Sequence, residues 1–332
     1  MVLALPFGIK YSGLTLLRNS MSNAVNGEIK ITWKSIIIVL AISLFYLLLS
    51  WLLVGLKSDQ LVLIVIFNSM FFLSSITRKF IIGFSIFIIY WIIFDYMKAF
   101  PNYNYNTVHI ADLYNLDKKL FGIHFNGKLL TANEYWRING NTFLDIVCGI
   151  FYLCWIPVPI AFAIFLFFKN RKQFLYFLIT FVLVNFIGFI IYYLYPAAPP
   201  WYVQYHGFAF HALTPGNTAG LAKFDNYFHA GIFKSIYAKG SNVFAAMPSL
   251  HSSYPVIVLY YGIKNRFTVL NIFFTVVMFG IWFTAVYASH HYIIDVFAGI
   301  ICAGIGITIF NTLMSRSKFF QQFVGKYENA IQ

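Results

Sequence analysis

Eight apolar runs, near residues 35–56, 61–76, 80–97, 143–168, 173–195, 248–263, 268–289 and 292–314, dominate this 332-residue chain. A helix needs about 20 apolar residues to cross a ~30 Å hydrocarbon core, and a shorter run crosses only with tilt or local thinning. The second and sixth runs are the short ones. Inside a bilayer every backbone polar group must be satisfied within the protein, so spanning segments are helices or closed barrels. Runs of this length predict helices, and the expected fold class is all-α: a polytopic membrane helical bundle of about eight transmembrane helices. Charged residues make up 10% of the chain, against about 25% in soluble domains, and the mean hydropathy is +0.75, so an ordinary soluble domain is excluded.

The net charge of +13 does not indicate nucleic acid, because Lys and Arg fall in short clusters between apolar runs and form no single basic stripe. They report topology instead. With the N-terminus inside, the cytoplasmic segments hold Lys10, Arg18, Lys30, Lys34, Arg78, Lys79, Lys169, Arg171, Lys172, Lys264, Arg266, Arg316, Lys318 and Lys326, which is 14 of the 23 basic residues. Positive residues are retained on that side of the membrane. All 8 His fall on or near the opposite face, so polar chemistry is expected at the non-cytoplasmic, periplasmic or lumenal, edge.

The organisation expected is a cytoplasmic amphipathic arm over 1–34, two N-terminal transmembrane helices over 35–79, a catalytic region over 80–314 and a cytoplasmic tail over 315–332. Residues 1–34 lack the compact apolar core and cleavage site of a signal peptide. Two stretches, 98–142 and 196–247, are too polar to span and are read as large outer loops. Cys148, Cys154 and Cys302 lie inside apolar runs with neither metal-ligand nor disulfide-framework spacing.

Two motifs carry chemistry. In MPSLHSSYP, residues 247–255, Pro248 and Ser249 suit a helix start and His251 lies about one turn in. A helix N-terminus exposed there favours a phosphate. In SHHYIIDVFAG, residues 289–299, His291 and Asp295 are spaced to share one helix face. A carboxylate inside an apolar span costs about 2.5–3.5 kcal/mol on insertion scales, which favours a partner and a role. Asp295 is therefore expected to orient His291 and stabilise its cation, making Nε2 the nucleophile, while His251 acts as proton donor. A lone His at a membrane edge is more often a packing residue, and it is the His–Asp pairing that shifts the balance. A metal site built from His251, His290, His291 and Asp295 is disfavoured because neighbouring His side chains on a helix point about 100° apart. No metal and no cofactor is expected.

At these residues the chain resembles the type 2 phosphatidate phosphatase superfamily, whose signature is a Pro-Ser-x-His block followed by His-x-x-x-Asp. The resemblance implies a six-helix catalytic core, with His291 as the phosphate-attacking residue, Asp295 its orienting carboxylate, His251 the general acid and Ser249 a phosphate contact. The chain departs from the phosphatase pattern. Thr284 and Ala285 stand where Ser-Arg is expected, and the upstream Lys-x6-Arg-Pro block is missing. Lys98, Lys223, Lys234 and Lys239 are the candidate replacement cations. YPAAPPWY, GLAKFD, MPSLHSS and YASHHYIID together resemble the inositol phosphorylceramide synthase branch over about residues 80–314. In that branch's light Trp201 and Tyr202 become candidate headgroup contacts, although both also suit interface anchors.

The function this implies is transfer of a phosphoryl-inositol group from phosphatidylinositol to ceramide through a phosphohistidine. The expected partners are these lipids and the membrane, with no nucleic acid. A lipid phosphate phosphatase using water keeps the same residues. A non-enzymatic transporter or scaffold is the reading from another class, and the chain shows no pair of related broken-helix halves to support it.

Overall fold

The computed structural model describes residues 31–238, 240 and 242–332. The expected arm therefore lies almost wholly outside the described residues, as does Lys239. The described chain is overwhelmingly helical, and six helical stretches are long and apolar enough to cross a membrane: Trp33–Leu53, Ser75–Ala99, Thr142–Lys169, Arg171–Leu194, Thr268–Tyr287 and Ile293–Arg316. The two runs read as short form shorter helices, Ser58–Leu73 and Leu250–Lys264.

The chain divides into two compact units, one running to Ser85 and including Ala330–Gln332, the other Ile86–Asn329. In the first, α1 (Trp33–Leu53) begins at Thr32, whose side chain accepts from the Ser35 amide. α2 (Ser58–Leu73) is tied to α1 by the Asn68 amide, which donates to Ser43 Oγ at 3.2 Å. α3 (Ser75–Tyr96) follows directly.

The second unit holds the rest. Its elements are α4 (Ala111–Phe121), β1 (Ile123–Phe125), β2 (Lys128–Leu130), α5 (Ala132–Asn139), α6 (Thr142–Leu153), α7 (Pro157–Lys169), α8 (Arg171–Leu194), α9 (Pro200–His206), α10 (Ala222–Phe228), α11 (Ile232–Ala238), α12 (Leu250–Lys264), α13 (Thr268–Tyr287), α14 (Ile293–Arg316) and α15 (Lys318–Ile331). α12 packs against α8, α13 and α14, so the Pro-Ser-x-His helix lies in the middle of the bundle. Its neighbour α8 is 67% buried over its apolar window, the largest share among the six long stretches.

The fourth run is not one helix. It breaks between α6 and α7, where Pro157 and Pro159 supply no amide to the preceding turn. The break leaves Tyr152 and Trp155 beside α12, with the Trp155 ring centred 4.2 Å from the His251 ring.

The two polar stretches are structured, not open loops. Thr131 and Glu134 cap α5 reciprocally, and Asn126-Gly127, both at positive φ, turn the β1–β2 hairpin as such pairs do. The Pro-rich turn after α8 runs between two other segments: the His109 amide donates to Pro196 O, Ala198 N to His109 O, Ala197 N to Phe244 O and Ala246 N to Ala197 O. This small ladder fixes the segment that leads into Met247.

Candidate active site

The two motifs form one hydrogen-bonded unit. Ser249 caps α12 through its side chain, which accepts from Ser252 N, and its own amide donates to the Asp295 carbonyl at 2.9 Å. Ser253 Oγ donates to Gly299 O at 2.7 Å. The helices approach so closely that a Cβ at Gly299 would meet Ser249 O at 2.1 Å. Only glycine fits there, and its absence of side chain sets the separation of the motifs.

That contact brings His251 and His291 together edge-on, their ring planes at 66°, with His251 Nδ1 3.2 Å from His291 Nε2. The other nitrogen of His291, Nδ1, lies 2.9 Å from Ala246 O. A carbonyl can only accept, so Nδ1 carries a proton, and the neutral tautomer compatible with this contact presents a bare Nε2 to His251. The proton between the rings then belongs to His251 Nδ1. Tyr152 Oη lies 3.0 Å from that same nitrogen and can donate to it once the proton has left.

Asp295 stands differently from the sequence expectation. Its Oδ2 is 3.7 Å from His291 Nδ1, beyond hydrogen-bond length, and accepts instead from the Tyr292 amide at 2.8 Å. The Ala246 carbonyl sets the tautomer, and Asp295 places a fully buried carboxyl group behind the ring. The backbone of the same turn is held by Asn133, whose amide donates to Val286 O at 2.7 Å and His291 O at 2.9 Å.

His290, beside His291, does something else. Its Nε2 donates to Thr218 O at 3.1 Å, and its ring lies between Tyr237 and Tyr152, with centroids at 4.6 and 5.5 Å. Burial, aided by neighbouring His291, pushes its pKa down to about 3, so it is neutral at physiological pH.

The remaining sequence candidates have other partners. Ser249 is fully buried and its hydroxyl is engaged with Ser252. Lys98 pairs with Asp95, and Lys223 lies 3.4 Å from Asp145. Lys234 is on α11, where its backbone amide is bound by Asp225. Trp201 is buried, and its backbone amide donates to Ser289 O at 3.0 Å. Tyr202 is also buried, its hydroxyl donating to Ala209 O and accepting from His211 N, each at 2.8 Å. Both side chains pack in a cluster with Ile110, Ala198, Ala219 and Phe244. Sequence reasoning passed over one further cation, Arg137, which lines a cavity of about 330 Å³ together with Glu134, Gln204 and Tyr292.

A match to the PAP2 superfamily model covers residues 112–309, which includes both motifs and the helices that carry them. The chain belongs to the PAP2 superfamily. Within it, a phosphoinositol dihydroceramide synthase of Bacteroides thetaiotaomicron is 44% identical over 302 residues, covering 90% of this chain and 99% of the relative. An inositol phosphorylceramide synthase of Candida albicans is 27% identical over 202 residues, 55% of this chain and 41% of that one. The catalytic subunit of the Saccharomyces cerevisiae inositol phosphorylceramide synthase is 30% identical over 117 residues, 35% of this chain and 29% of that one. No solved structure matches. This PAP2 protein is an integral membrane enzyme of the phosphotransferase kind.

Proposed function

We propose that the protein transfers a phosphoryl-inositol group from phosphatidylinositol to a ceramide-type lipid through a phosphohistidine on His291, at the non-cytoplasmic edge of the membrane. The observation that carries this is the bare Nε2 of His291 set 3.2 Å from the proton-bearing Nδ1 of His251, in a chain closely similar to a phosphoinositol dihydroceramide synthase.

The reaction is two displacements. His291 Nε2 attacks phosphorus, the bond to the diacylglycerol oxygen breaks, and His251 Nδ1 gives that oxygen its proton. Tyr152 then donates to the vacated nitrogen. In the second displacement the primary hydroxyl of the acceptor attacks phosphorus, its proton passes to His251, and the P–N bond breaks. Asp295 offsets the positive charge that His291 carries while phosphorylated.

A phosphoryl group placed in line needs near-attack contact with Nε2 on one side and a hydrogen bond on the other, so the two nitrogens must stand roughly 6 Å apart when substrate is bound. His291 is held at its other nitrogen by Ala246 O, so the added separation falls to His251. Transfer rather than hydrolysis requires water to be kept from the intermediate, and His291 is only 5% exposed beneath the structured outer segments.

The assay is purified protein with headgroup-labelled phosphatidylinositol, with and without ceramide. Labelled inositol phosphorylceramide is expected only when ceramide is added. Label released as soluble inositol phosphate regardless of ceramide makes water the acceptor and overturns the transferase reading.

A further inference from the structure

α14 begins at Tyr292, a residue whose side chain offers no capping oxygen to the free amides of the first turn. Those amides are met by two carboxylates. Asp295 Oδ2 accepts from Tyr292 N, and Asp117 Oδ1, arriving from α4, accepts from Ile294 N at 3.1 Å. Both carboxylates are fully buried, and each keeps one buried oxygen, Asp117 Oδ2 and Asp295 Oδ1, without a hydrogen-bond partner. Two buried carboxylates at one helix start repel each other, and a neutral side chain could have capped the turn at lower cost.

Building on the phosphohistidine reading, we infer that Asp117 is a positioning residue of the reaction, a second buried negative charge that holds the first turn of α14 and stabilises the cation on His291. The helix dipole offsets part of the repulsion, because its positive end faces both groups. Burial and the nearby Asp295 raise the Asp117 pKa to about 6, so it is ionised at neutral pH but protonated in mild acid. The other titratable groups facing this cluster are Tyr292 at the cap, Tyr114 on α4, Glu134 on α5, Tyr192 on α8 and Tyr195 just after it, and around His291 they are His251 from α12 and His290.

The test is Asp117→Asn in the full-length protein, which keeps an oxygen for the Ile294 amide and removes the charge. Expected is a fall in kcat of about tenfold or more with KM nearly unchanged, the size of loss seen when a carboxylate behind a working histidine is neutralised. The acid limb of the kcat/KM profile should move to lower pH, since the loss of activity that follows protonation of Asp117, near pH 6, is absent when the residue does not titrate. The melting temperature at pH 7 should hold or rise, because a desolvated charge is gone. Asp117→Glu should return the acid limb to its wild-type position. Wild-type kcat and an unmoved acid limb in Asp117→Asn would overturn the inference, leaving Asp117 as a cap alone. If the Asn variant fails to fold, Asp117→Ser, which also caps without charge, is read in the same way; failure of both to fold, with Glu folding and unshifted, makes the role structural and also overturns it. Absence of any lipid turnover by the wild type is a different result, and counts against the proposed function itself.

Discussion

Ser249 donates its amide to the Asp295 carbonyl at 2.9 Å, so His251 and His291, the proposed proton donor and nucleophile, are located by a backbone hydrogen bond between the two motifs. The spacing of the two imidazoles is thereby a property of helix packing, and substitutions far from either ring can be expected to change it.

Gly299→Ala tests this most simply. The new methyl would lie 2.1 Å from Ser249 O, a backbone atom that can yield only by moving α12. Overpacking of this kind costs about 1–3 kcal/mol, and activity should fall far more than stability because the histidines separate. Gly304→Ala on the same helix meets nothing within 4 Å and should leave both unchanged. Turnover and melting temperature of the two variants give the comparison.

Tyr152→Phe removes the hydroxyl that lies 3.0 Å from His251 Nδ1. The kcat should drop roughly tenfold, the rate equivalent of one modest hydrogen bond, with KM held. A fall in KM alone, or none in kcat, separates Tyr152 from the proton transfer.

The pH dependence of stability should carry a contribution from His290. Its folded pKa of about 3 lies below the usual value of 6.5, so the unfolded chain binds more protons between these limits. Its contribution is full above pH 6.5 and is lost as pH falls toward 3. His290→Gln keeps a donor for Thr218 O and does not titrate. Its melting temperature should decline less than that of the wild type between pH 6.5 and 4.5, as thermal unfolding in detergent would report.

Orientation is open to direct labelling. Leu213, 83% exposed in the segment between α9 and α10, can be replaced by cysteine, and the three native cysteines are buried or partly so. An impermeant thiol reagent should label Leu213→Cys on intact cells. Label appearing only after membrane disruption reverses the topology.

Much of this architecture was legible in the chain, and what was hidden has identifiable causes. Apolar length located the spans, and the spacing of His291 and Asp295 located the turn on which the site is built. The break at Pro157 was missed because the runs on either side are equally apolar. Inside the polar stretches α4, α5 and α9–α11 are too short to leave a strong periodic signal. The acceptor for His291 Nδ1 is the carbonyl of Ala246, and a backbone group has no signature in a sequence. Asp117 reaches Ile294 from far along the chain, a pairing that no local pattern records. Tyr152 is one of 23 tyrosines, and only its place in the last turn of α6, just before the break, sets it apart.

The central claim is the division of labour between the two histidines. Rapid quench with headgroup-labelled phosphatidylinositol, followed by detection of acid-labile, base-stable label on the protein, reads it directly. His291→Ala should form no labelled protein at all. His251→Ala should form it slowly, by about 10²–10⁴-fold, because the leaving oxygen then departs without its proton. Label that accumulates in His291→Ala and is absent from His251→Ala would contradict the account and exchange the two roles.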